Sequence, residues 1–132
     1  MALKTKCIKA PRHPADGWRI SIMSRHTLND GTTPDPEIGT GAFDEWWPQL
    51  APPPTLIGAY YKRGLPWKEF EERFKEHLSQ KEQKECLLRL VLRAQEGTVT
   101  ILCVEPSPER CHRRLVAEAC KALNPELAVT LE

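Results

Sequence analysis

No stretch of this sequence approaches the eighteen or so consecutive apolar residues that a membrane-spanning helix needs, and the opening segment MALKTKCIKAP lacks the apolar core of a secretory leader. The chain is therefore read as soluble and cytoplasmic, with no membrane partner. A disulfide framework is missing as well. The five cysteines (Cys7, Cys86, Cys103, Cys111, Cys120) are odd in number, and without an export signal they are expected to be reduced thiols. Net charge is nearly absent, at +1, which argues against a protein whose main business is coating nucleic acid. There is no Gly-rich phosphate loop, no dinucleotide fingerprint and no Gly-x-Ser-x-Gly elbow, and no cofactor is expected. A cysteine-phosphatase loop also fails on spacing: the position that must be arginine after Cys103 is Glu109, and Arg110 comes one place late.

With 132 residues, 40% of them hydrophobic, and neither an internal repeat nor a dividing linker, the chain is expected to be one domain over 1–132. Residues 2–9 alternate Leu3, Thr5 and Cys7 against Lys4 and Lys6, and residues 18–24 alternate again after the turn residues 14–17; both read as strands. Residues 25–41, with three glycines and two prolines, read as a long surface loop. A short helix is expected over 43–50, ended by Pro52-Pro53-Pro54. Another is expected after Pro66, carrying a core stripe of Trp67, Phe70, Phe74 and Leu78, and a third over 80–95, with Cys86 as a packing residue and Gly97 as the stop. Residues 98–104, TVTILCV, have the near-continuous apolar character of a central strand covered on both faces. A turn, a helix over 109–123 and a last strand near 127–131 complete a βαβ unit. The expected fold is α/β, with a mixed, mostly parallel sheet of about four strands flanked by helices.

The corner between strand 98–104 and helix 109–123 gathers the residues with chemical content: Cys103, Arg110, Cys111, His112, Arg113 and Arg114. Strand ends and helix N-termini are common ligand sites in α/β proteins, because free amides and a partial positive charge meet there. At helical spacing His112 points along the core face of Leu115, Val116 and Ala119, while Arg114 falls opposite, placed to pair with Glu118. A thiol at such a helix start, beside arginines, is expected to be shifted toward the thiolate. Cys103, Cys111 and His112 are therefore the candidate catalytic residues, as nucleophile and acid or base. Arg113, Arg25 and Arg110 are the candidate ligands for a small anion such as a phosphate, a carboxylate or a nucleotide-like group. Two cysteines with an adjacent histidine contain no Cys-x-x-Cys pair and no obvious fourth ligand, so no metal is expected. Other readings stay open: His112 as a satisfied core histidine with both cysteines as small apolar fillers, or a non-catalytic module contacting nucleic acid or a protein partner. Such a module would use the basic N-terminal region (Lys4, Lys6, Lys9, Arg12, Arg19, Arg25) or the Trp46-Trp47 pair. Oligomeric state is not legible.

Leu102-Cys103, followed by Pro-x-x-Cys111-His112-Arg113-Arg114-Leu115, resembles the hallmark of the domain-of-unknown-function family DUF488. So do Asp16-Gly17-Trp18-Arg19, the stretch 47–51 followed by Pro52, and Trp67-Lys68-Glu69-Phe70 with Arg73-Phe74. The resemblance spans most of the chain. It implies a small bacterial or archaeal α/β domain without an agreed reaction, and carries a site onto Cys103, Cys111, His112, Arg113 and Arg25. One family branch has Asp-Arg-Leu-Trp-Pro-Arg-Gly after the second strand; here Arg25 matches and the Trp-Pro-Arg part is replaced by His26 and its neighbours.

Overall fold

Alternation along three short strands determines which face of the sheet meets the helices. In the computed structural model, which describes residues 2–28, 30–39 and 41–132, β1 (Ala2–Cys7), β2 (Trp18–Ser21) and β4 (Thr98–Cys103) turn Leu3, Ile20, Val99 and Ile101 into one core. Two shorter strands, β3 (Glu45–Trp46) and β5 (Val129–Thr130), close the edges. Among the described residues the order is β3-β2-β4-β1-β5 and every ladder of the sheet is parallel, so the expected mixed, mostly parallel sheet of about four strands is a parallel one of five. β4 lies at its centre, as its apolar run predicts.

Four helices supply the other half of the core: α1 (Pro54–Arg63), α2 (Trp67–Leu78), α3 (Lys81–Glu96) and α4 (His112–Leu123). The expected stripes hold. Phe70, Phe74 and Leu78 of α2, and Cys86, Leu87, Leu90, Val91 and Ala94 of α3, are buried. Among the described residues, no helix is long and apolar enough to cross a membrane.

Loops and a 3-10 turn (Pro14–Asp16) cover the opposite, polar face. Arg19 is 1% exposed there and donates to Asp16 at 2.7 Å and to the carbonyl of Ala42 at 2.7 Å, while Lys6 donates to Asp16 at 3.0 Å. Thr100 Oγ1 donates to the Asp16 carbonyl at 2.7 Å, tying the turn to the central strand. Gly17 follows with φ +63, and a Cβ there would lie 2.0 Å from Thr98 O. The segment Asp16-Gly17-Trp18-Arg19 is thus an architectural joint.

Two expectations are corrected. Residues 43–50 form β3 and a 3-10 turn (Pro48–Leu50) instead of a short helix, because β2 presents a free edge: Asp44 N donates to Arg19 O at 2.7 Å and Trp47 N to Ser21 O at 2.8 Å. The triple proline opens a helix as well as ending a segment. Pro54 is the first residue of α1, which runs to Gly64 in the left-handed conformation at φ 71.

Candidate functional site

Chain connections leave the carboxyl ends of β2 and β4 in opposite directions, β2 toward β3 at one edge and β4 through α4 toward β5 at the other. A crevice opens at such a switch point. β4 ends there in Cys103, which is 4% exposed, and the residues after it turn back so that Cys111, 2% exposed, becomes the N-cap of α4. The helix starts at His112, three residues later than expected, because Pro108 accepts a turn bond from the Cys111 N–H.

His112 is held from three sides. Its Nε2 lies 2.7 Å from the carbonyl of Ile22, which can only accept, so Nε2 carries the proton. In the neutral ring Nδ1 is then the free acceptor, and it lies 3.4 Å from Cys103 Sγ. Phe74 of α2 packs edge-on to the ring, centroids 5.7 Å apart. The core stripe of α2 thus sets the plane of the imidazole, and β2 sets its tautomer.

Cys111 differs from its neighbour. The adjoining Cys103 thiol first, and burial second, push the Cys111 thiol above its ordinary range. That runs against the expectation of a thiolate at the helix start: Cys111 is the N-cap of α4, but it is buried beside the Cys103 thiol. Arg113 is also placed otherwise than expected. It is fully buried, and donates to Glu105 O at 2.7 Å, twice to Glu132 O at 3.2 and 3.0 Å, and to Cys111 Sγ at 3.3 Å. Its guanidinium is taken up by the turn after β4 and by Glu132 beyond β5, and Arg113 is not among the residues that line the cavity at this corner. Arg114 pairs with Glu118 at 2.8 Å, as its spacing predicts.

A cavity of about 480 Å³, of ordinary size for a small-molecule site, is lined by Cys103, Cys111 and His112. Arg25 and Arg110 line it too; both are solvent-exposed and without a hydrogen bond or ion pair among the described residues. Sequence reasoning missed the opposite wall, which α1 provides through Ile57, Gly58, Tyr60, Tyr61 and Lys62. The signals for that helix were present as Pro54, Lys62-Arg63 and Gly64, but Gly58 interrupts the pattern. Tyr61 donates its hydroxyl to Glu105, bridging α1 to the turn after β4. Thr27 Oγ1 is buried on the cavity wall and has no hydrogen-bond partner among the described residues. The reactive atoms of Cys103, Cys111 and His112 all lie within 4.8 Å of one another, three donors of the kind that soft metals accept and one short of a closed zinc site.

Fold and site together define a parallel α/β domain with a thiol and an imidazole facing each other at the carboxyl end of its central strand. The chain belongs to the DUF488 family: the model of its branch DUF488-N3a, described as the active DUF488-N3 subclade, matches residues 3–123. No curated protein matches the chain. No solved structure matches it either.

Proposed function

We propose that this protein is a thiol-dependent enzyme acting on a small anionic substrate, with Cys103 as nucleophile and His112 as acid and base. The observation that carries the reading is the line from Ile22 O through His112 to Cys103, at 2.7 and 3.4 Å. A carbonyl on Nε2 leaves Nδ1 in the form that accepts the Cys103 proton, and the same carbonyl steadies the imidazolium that results. The thiolate would attack an electrophilic centre, and the proton held on Nδ1 would pass to the leaving group. The reaction class is transfer or hydrolysis. The start of α4 places partial positive charge beside the developing anion.

Arg25, Arg110 and Lys62 on the cavity wall give the substrate its sign, and the unpartnered Thr27 hydroxyl offers a polar contact. The family description as an active subclade agrees with catalysis. The contrasting reading, a non-catalytic module with a basic N-terminal face, is disfavoured because four of its six cations are paired with carboxylates. Lys6 and Arg19 pair with Asp16, Lys9 with Asp35 and Glu37, and Arg12 with Asp44.

The test is peptide-resolved iodoacetamide labelling of Cys103 with and without inorganic phosphate. Phosphate is expected to slow the labelling, and Arg25→Ala or Arg110→Ala to weaken that protection. Labelling of Cys103 as slow as that of core Cys86, indifferent to phosphate, would remove the reading.

A further inference from the structure

The proposed chemistry uses one of two thiols. Cys111 has no part in it, yet its Sγ shares the 4.8 Å cluster with Cys103 Sγ and His112 Nδ1, on the wall of the same cavity. The other cysteines are placed differently. Cys86 and Cys120 sit in the main core among helices, and burial pushes the Cys120 thiol up to about 12. Cys7 is the strand partner of Cys103 but stands outside the cluster, its Sγ–H donating to Val104 O at 3.4 Å. Cys111 Sγ also accepts an Arg113 N–H at 3.3 Å, which ties its sulfur within the cluster. The two thiols are carried by a strand end and a helix N-cap, joined by the turn between them. Both thiols stand at the ends of their elements, so the movement needed to close them to a bond of about 2.05 Å falls on the turn between them.

We propose that Cys103 and Cys111 form a hydroperoxide-sensitive dithiol, in which Cys103 is oxidised first and Cys111 resolves it to an intramolecular disulfide. The proposal rests on the proposed function for its first step, since the thiolate formed by proton transfer to His112 is the species that reacts. The thiolate attacks one peroxide oxygen and the O–O bond breaks. The released alkoxide, or hydroxide from hydrogen peroxide, takes the proton from His112, leaving a sulfenic acid on Cys103. Cys111 then loses its proton and attacks the Cys103 sulfur; the S–O bond breaks and oxygen leaves as water. Overall, two thiols are oxidised by two electrons and the hydroperoxide is reduced to an alcohol and water. The disulfide removes the nucleophile reversibly and shields Cys103 from irreversible oxidation.

The experiment treats the reduced full chain with hydrogen peroxide, blocks remaining thiols with N-ethylmaleimide after denaturation, and maps peptides without reduction. The expected result is a Cys103–Cys111 cross-link, reversed by dithiothreitol, with titratable thiols falling from the five of the sequence to three. In Cys111→Ser, Cys103 is expected as a sulfenic acid trapped by dimedone. If that variant does not fold, the wild-type map decides alone. Cys103 over-oxidised or linked to Cys7, with Cys111 still a free thiol, overturns the proposal. Iodoacetamide labelling of the same preparation separates the two failures. Rapid alkylation of Cys103 without the cross-link sinks the dithiol and spares the proposed function, whereas inertness to both reagents sinks both.

Discussion

At the scale of the residue, the site is built on one backbone carbonyl. Ile22 O follows β2 and reaches His112 at 2.7 Å, which fixes both the proton on Nε2 and the direction of Nδ1. Arg113 shows the opposite use of a charged side chain. Its buried guanidinium binds the carbonyls of half-buried Glu105 and exposed Glu132. Arg113→Ala removes a fully buried side chain together with these hydrogen bonds, and is expected to lower unfolding free energy by about 1–3 kcal/mol in urea titration. Arg25→Ala, at an exposed position, is expected to leave stability within about 0.5 kcal/mol. Equal losses for the two would contradict the division into buried and cavity-lining arginines. Cys86 and Cys120, both packed in the core, are expected to label only when the protein unfolds, so their modification should follow the denaturation curve.

At the scale of the element, what was legible in the sequence was whatever depended on one element's own periodicity. The stripes of α2 and α3, the central strand and the Arg114–Glu118 pair are set by spacing and survive assembly. What was not legible depended on a partner: residues 43–50 become β3 because β2 has an unfilled edge, and α1 hides behind Gly58 and three prolines. The Cys103-to-His112 corner was found because its residue types are unusual, but the roles of Arg113 and Cys111 turned on where the α4 start falls. The Asp16–Arg19 joint carries two predictions. Gly17→Ala forces a side chain into the left-handed region and against Thr98 O, and is expected to cost more than about 2 kcal/mol in thermal or chemical unfolding. Burial alone would raise the Asp16 carboxyl, but the His13 N–H, then Arg19 and Lys6, outweigh it and hold the group at about 2. Because the folded value lies below the ordinary 3.8, the stabilisation is complete above that value and is lost as pH falls toward 2. It is worth roughly 2 kcal/mol, and should be seen as a decline in urea midpoint over this range that Asp16→Asn abolishes.

At the scale of the whole molecule, one sheet face packs against the helices and the other carries the Asp16–Arg19 ties, and the carboxyl edge between β2 and β4 opens into the cavity. The helices lie on the packing face, so α1, α2 and α4 all reach the cavity, while the opposite face absorbs Lys6, Arg12 and Arg19 into ion pairs. That distribution explains how a chain of net charge +1 can present cations at one cavity. The central claim is that His112 makes Cys103 a nucleophile, and the rate of iodoacetamide labelling of Cys103 at neutral pH, in wild type and His112→Ala, tests it most directly. An ordinary thiol is only a few per cent ionised at neutral pH, so the loss of the histidine is expected to slow labelling by up to about 30-fold, although it opens space beside the sulfur. An unchanged or faster rate in His112→Ala would show that Cys103 and His112 are packing partners, and would contradict the account.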